Sequence, residues 1–272
     1  MSAIVLLRAV FDAELVWGSR GSSLRLDEPS ESAIALGLGF RAACGEPLCG
    51  FASGPPDWDA ALRDAVAVGL DSVTRIWSPV LEEGDLVTHA RALAGQVPRE
   101  ARLVIAGGAA SDHGSGILPL AIAELLGWPA IEDAIDVGME GGRLAVRVRA
   151  RGGRLLTYGL PARAVLVAGR GHALPYPTVA RKLAAQRAVP AVCSPAAGPG
   201  MEQRLYVESY GPARPVTRHL FRPSTSANAG GRLRQLMAGG ASPSPSAAKA
   251  LQSGDGLAAQ VADLLAREGL LD

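Results

Sequence analysis

The sequence predicts an α/β fold: a Rossmann-like open parallel sheet with helices on both faces, an antiparallel hairpin extension and an extended C-terminal arm. Three observations predict it. Short β-branched runs alternate with helical patterns over the first two-thirds of the chain, as repeated β–α–β units require. From Ile131 the apolar residues alternate with polar ones, broken by Gly141-Gly142 and Gly152-Gly153, which marks tight hairpins at a sheet edge. Beyond Val189 the chain becomes rich in Pro, Gly and Ser, a texture of linkers rather than of a second core.

The elements follow in order. Ile4–Val10 reads as a first buried strand, and 31–43 as a helix after a long connection. Residues 47–52 form a second strand ending at Ser53-Gly54-Pro55-Pro56. Asp57 or Asp59 then caps a helix that runs to Val68 and stops at Gly69, following the usual acid-first, glycine-last pattern. Strand 72–76, helix 86–94 and strand 102–106 come next. A small-residue turn over 107–114 leads into a helix over 115–126. Strands over 131–137, 143–149 and 154–160 build the hairpins; 164–168 is a short buried strand, and 178–187 a helix. The tail contains two weak helical patterns, 229–237 and 256–268, around a low-complexity linker over 239–246. The expected organisation is one domain over 1–190 and an arm over 191–272, mobile from about Cys193 in the isolated chain.

Composition excludes several classes. Lys+Arg 27 against Asp+Glu 26 leaves a net charge of +1, so no nucleic-acid partner is expected. Aromatics are 4%, too sparse for a base-stacking platform. No apolar run reaches a membrane-spanning length, so no membrane insertion is expected. Cys44, Cys49 and Cys193 form no metal-spaced group with the histidines, and a scattered odd count suits a reducing cytoplasm.

An open parallel sheet binds ligands at the carboxyl ends of its strands, where strand order reverses. Two turns qualify: Ala52-Ser53-Gly54-Pro55 and the glycine-rich stretch over 107–116. In the second, small residues would let backbone N–H groups and a helix N-terminus face an anion. Neither fits a dinucleotide fingerprint or a P-loop. Asp112-His113 are neighbours on a turn, and the simpler reading is a helix-capping acid beside a solvated imidazole. Ser53 and Ser111 lack a nucleophile elbow. His89 lies in a helix and has no second ligand at i+3 or i+4, and the four tryptophans read as packing residues.

These same segments carry a resemblance. Gly54-Pro55-Pro56-Asp57 with the stretch from Leu62 to Asp71, Leu103–Gly107 with Asp112-His113-Gly114-Ser115-Gly116, and Leu160-Pro161-Ala162 each echo one family. Ala123-Glu124-Leu125-Leu126-Gly127-Trp128-Pro129 is the most specific match. Over roughly residues 1–190 the chain resembles the beta subunit of electron-transfer flavoproteins. The departures, such as Gly108-Ala109 and Ile117 where the family has polar residues, are similar to a divergent bacterial paralogue of the actinobacterial, mycofactocin-associated kind.

The resemblance implies an electron-carrier subunit rather than a self-sufficient catalyst. It would form a heterodimer with a FAD-bearing alpha subunit. Electrons would pass from flavin-dependent or specialised dehydrogenases to the respiratory chain. It implies AMP, or a second FAD, in this chain, with the redox FAD shared with the alpha subunit. Carried over by position, the nucleotide would touch Leu6, Arg8, Ala52, Ser53, Gly107, Asp112, Ser115, Gly116, Ile117 and Leu118. The segment over 181–189 would dock redox partners. Two alternatives stay open: a non-redox interaction subunit with a vestigial nucleotide pocket, and an adenine-nucleotide alpha-hydrolase-like protein.

Overall fold

The computed structural model describes residues 2–11, 24–82, 84–109, 115–195 and 208. The chain divides into two compact units, Met1–Tyr206 and Val207–Asp272; apart from Glu208, every described residue lies in the first. Asp112, Trp17 and the tail helices expected over 229–237 and 256–268 fall outside the described residues.

The strands are β1 (Ser2–Leu7), β2 (Ala9–Phe11), β3 (Leu24–Leu26), β4 (Leu48–Ser53), β5 (Ser72–Ile76) and β6 (Ala101–Gly107). They continue with β7 (Ala130–Glu140), β8 (Arg143–Arg149), β9 (Leu155–Gly159), β10 (Ala164–Ala168) and β11 (Ala191–Cys193). The helices are α1 (Glu28–Cys44), α2 (Asp59–Val68), α3 (Leu86–Ala94), α4 (Leu118–Leu126) and α5 (Val179–Gln186). Nine strands form one sheet in the order β11-β5-β4-β1-β6-β10-β7-β8-β9. Every pairing from β11 to β7 is parallel, and the β7–β8 and β8–β9 pairings are antiparallel. The α/β class and the hairpin extension at one edge are therefore those the sequence predicts.

Strand β1 shows why the sheet is covered on both sides. Successive side chains of a strand point to opposite faces. Ala3, Val5 and Leu7 pack with Ile34, Phe40 and Leu62 of α1 and α2. Ile4 and Leu6 pack with Leu93 and Ile122 of α3 and α4. Two cores thus sandwich one sheet, and β1, β4 and β6 sit at its centre.

Five expectations need correction. The first strand does not run to Val10: it stops at Leu7, and Ala9–Phe11 pairs with the unexpected β3 in a separate two-stranded sheet. The cause is at Arg8. Its N–H donates to Ser30 Oγ at 2.9 Å, and its carbonyl accepts from Asp27 N–H at 3.1 Å, so the backbone there is spent on the start of α1. That helix begins at Glu28 rather than 31, because Asp27 caps it by accepting from Ser30 N–H at 2.9 Å. Neither Asp57 nor Asp59 caps α2; a 3-10 turn over Pro56–Trp58 precedes it, and Asp59 instead accepts from Arg75 Nε–H at 2.7 Å. Helix α4 begins at Leu118, three residues after the expected start. Finally, Ala191–Cys193 adds β11 beside β5, within a stretch that has no strand periodicity.

Candidate functional site

The chain reverses direction across the sheet at β1, which has β4 and then β5 on one side and β6 on the other. Carboxyl ends splay apart at such a point and leave a crevice. A cavity of about 430 Å³ opens there. Its floor is the end of β1 (Leu6, Leu7, Arg8), Ser53 at the end of β4, and Ala106-Gly107-Gly108 at the end of β6. Its walls are the starts of three helices: Asp27, Pro29 and Ser30 of α1; Gly84, Leu86 and His89 at α3; and Ser115, Gly116, Leu118 and Pro119 at α4.

Close approach explains the glycines. A Cβ built on Gly107 would stand 2.5 Å from the carbonyl carbon and oxygen of Pro29, so α1 enters the cavity wall only because β6 ends in glycine. Gly116 has φ +65, a left-handed conformation suited to glycine, and a Cβ there would stand 3.1 Å from the Gly108 carbonyl oxygen. A Cβ on Gly54 would run into the Trp58 ring; its absence lets that ring fold back to line the cavity.

The three helix starts are not equivalent. Asp27 accepts from Ser30 N–H in α1, and Asp85 accepts from Thr88 N–H in α3, both at 2.9 Å. The first turn of α4 has Ile117 at its cap and no side-chain hydrogen bond. Helix starts leave backbone N–H groups without an intrahelical partner. Among the described residues, the N–H groups of Leu118 and Leu120 in that turn, where Pro119 has none, suit an anion at the end of the cavity beside Gly107, Gly108 and Gly116. Arg8 adds a cation, its guanidinium carbon 6.0 Å from the centroid of the Trp58 ring.

Two strand spacings away, on the order of 10 Å, the β4 end of the cavity has a different character. Leu6, Leu86 and Leu93 line it, together with Ser53 and His89. Ser53 Oγ lies 2.8 Å from His89 Nδ1. Burial, and after it the Arg8 guanidinium, hold the His89 imidazole below its ordinary pKa, against the opposing influence of Asp85.

Seven of the ten sequence-predicted positions line this one cavity: Leu6, Arg8, Ser53, Gly107, Ser115, Gly116 and Leu118. Ala52 is fully buried in β4, between Leu7 and Arg75 on the neighbouring strands. Ile117 is about half exposed and does not line the cavity, and Asp112 lies outside the described residues. Trp58 lines the cavity as well as packing against the core. Sequence reasoning missed the roles of His89, Asp27, Pro29 and Ser30. For Asp27-Glu28-Pro29 a signal existed, since an acid two residues before a proline is a helix-start pattern. For His89 there was none, because its partner is 36 residues away in sequence.

A family profile described as "Electron transfer flavoprotein domain" matches residues 17–196. The chain belongs to the electron transfer flavoprotein family. Among similar proteins is the "Electron transfer flavoprotein subunit beta" of Mycobacterium leprae (strain TN), 27% identical over 146 residues, which cover 50% of this chain and 54% of that one. Proteins of the same name from Mycobacterium bovis and Mycobacterium tuberculosis are 28% identical over 144 residues, with the same coverage. The chain thus spans about half the length of the curated relatives it matches. Within this electron transfer flavoprotein fold, no helix among the described residues is long and apolar enough to cross a membrane. Nor does any group of three or more His, Cys, Asp or Glu among them gather as a metal site.

Proposed function

We propose that this chain is the beta subunit of an electron transfer flavoprotein, holding an adenine nucleotide in the cavity over β1, β4 and β6. The observation that carries the reading is the convergence of seven positions, implied as nucleotide contacts by the family resemblance, on one cavity at the strand-order reversal. Its residues fit such a ligand. The uncapped start of α4 and the backbone beside Gly107 suit a phosphate, Arg8 supplies a positive charge, and the leucine-lined end suits a base. When bound, AMP anchors the fold, while FAD there would supply a second redox group. Leu6, Leu86 and Leu93 exclude water from the base, and Arg8 and the α4 backbone orient the phosphate.

In this reading the chain pairs with a FAD-bearing alpha subunit. Dehydrogenases in the cytoplasm deliver electrons to the shared FAD, which passes them to the respiratory chain. The docking surface is α5 and the residues up to Val189. Val179 and Leu183, one turn apart on α5, are largely exposed, as are Tyr176 before it and Val189 after it. Exposed apolar residues grouped this way mark protein contact sites.

Co-expression with an alpha-type subunit tests the proposal. The complex is gel-filtered, then denatured, and its flavin and adenine nucleotide are counted. One FAD and one AMP per heterodimer is the expected outcome, and two FAD would assign FAD to this cavity. FAD without any nucleotide in this chain would make it a docking subunit with a vestigial pocket. No stable complex would refute the pairing.

A further inference from the structure

Helix α5 is not held to the fold by its apolar side chains. Of its eight residues only Ala185 is buried, and it meets α2 beside a cavity of about 300 Å³ lined by Ala60, Ala67 and Gln186. Small residues facing across such a gap bury little apolar surface, so packing contributes little here. An eight-residue helix does not persist by itself in water. Polar contacts must therefore keep α5 in place, and they are reciprocal. Arg63 Nε–H of α2 donates to the carbonyl of Ala188, two residues past the end of α5, at 3.0 Å. Arg181 Nη1–H near the start of α5 donates to the carbonyl of Val68, the last residue of α2, at 3.5 Å. The last carbonyls of a helix have no intrahelical donor, and a cation is favoured there. Each helix thus lends an arginine to the other's C-terminal end, and the two run antiparallel.

Between the two ties, burial raises the pKa of Asp64 on α2, and Lys182 on α5 pulls it back down, so opposite charges face each other across the join. The elements on either side of α5 are fixed independently of it. Leu62 and Ala65 anchor α2 in the core, and Arg41 of α1 donates to the Gly69 carbonyl at its end. Beyond α5, β11 pairs with β5, and the Cys193 carbonyl accepts from Trp77 N–H at 3.0 Å. We propose that Arg63 and Arg181 form a reciprocal clamp, and that α5 leaves α2 as one unit when the clamp opens, pivoting on the link to β11. Both arginines are positioning residues for the exposed Val179 and Leu183, which a detached α5 presents at no fixed place. The clamp stands whether or not those residues are a docking surface, because it rests on bonds within the chain.

Hydrogen exchange of the full chain, read residue by residue by NMR, tests it. A helix too short to persist alone exposes all its amides once detached. The clamp therefore predicts one common opening for the hydrogen-bonded amides of Lys182, Arg187 and Ala188. Arg63→Ala and Arg181→Ala should each speed exchange at both ends of α5, by about fivefold or more for a lost charged donor at a partly exposed site. The double variant should multiply the two effects, while amides of β1 and α1 keep their wild-type rates. Arg181→Lys, which keeps a cationic donor, should return most of the protection. Arg181 is exposed, so its truncation leaves the core intact and decides the matter even where Arg63→Ala speeds exchange in β1 as well. Acceleration confined to the end that lost its arginine would mean local fraying and overturn the clamp. Unchanged rates along α5 in both single variants would overturn it too.

Discussion

Replacing Gly107 by alanine tests whether the cavity depends on how closely α1 approaches the end of β6. The added Cβ would lie 2.5 Å from the carbonyl carbon and oxygen of Pro29, where ordinary contact begins at 3.4 Å. The obstacle is backbone, so no side-chain rotation relieves it, and α1 must retreat by about 1 Å. That helix buries Ile34, Leu36 and Phe40 in the core, and its first turn is tied to Arg8 through Ser30 and Asp27. Retreat therefore loosens packing along α1 and draws Pro29 and Asp27 out of the cavity wall. Overpacking of this kind typically costs about 1–3 kcal/mol. A loss near 2 kcal/mol would lower Tm by roughly 4–8 °C in a unit of this size. Gly108 is the internal control, because a Cβ there meets nothing nearer than 3.7 Å and should change stability by less than about 0.5 kcal/mol. Thermal melts give Tm for both variants, and equilibrium dialysis with AMP gives binding. Gly107→Ala should lose stability and affinity together, and Gly108→Ala should keep its stability. Equal melting of the two variants, or a larger loss in Gly108→Ala, would refute the steric argument.

The remaining expectations concern single interactions. Arg75 is buried, and its partner Asp59 is partly exposed at the start of α2. Asp59→Ala strands a buried guanidinium and should cost about 3 kcal/mol, whereas Arg75→Met leaves a carboxylate at a favourable helix start and should cost less. Urea unfolding of the two variants decides this, and the opposite order would contradict it. Asp27→Ala removes a buried N-cap and should cost about 1–2 kcal/mol, while Asp27→Asn should keep most of the stability; thermal melts compare them. Because His89 has a depressed pKa in the folded chain, the unfolded state takes up its proton first as pH falls. Stability should therefore decline as pH drops below 6.5 towards the folded value, then level off. His89→Asn should flatten that part of a Tm-against-pH profile, and an unchanged slope would assign the effect to other groups.

Much of the fold is legible in the chain because its signals are local. The alternation of apolar runs and helical patterns between Ile4 and Leu126, and the paired glycines at 141–142 and 152–153, act over a few residues and specify strand, helix and hairpin wherever they lie. The ends of β4 and β6 were legible as ligand-facing turns for the same reason, since small residues after a strand permit close approach. Other features had no local signal. Strands β3 and β11 are three residues long and exist because a neighbouring strand offers its edge, not because of any periodicity of their own. The break of the first strand at Arg8 depends on Ser30, 22 residues later.

The insertion of β10 between β6 and β7 is likewise a choice among ways of burying Val165 and Leu166, and residues within that short run cannot make it. His89 shows the limit most clearly. Its sequence neighbourhood says only that it lies in a helix. Packing α3 against the end of β4 brings its Nδ1 within 2.8 Å of Ser53 Oγ. Sequence alone determined which segments become strands and helices and which turns lie at strand ends. Tertiary structure decided which of those ends share a cavity and which polar groups meet in it, because their hydrogen-bond partners are ones that only folding brings within reach.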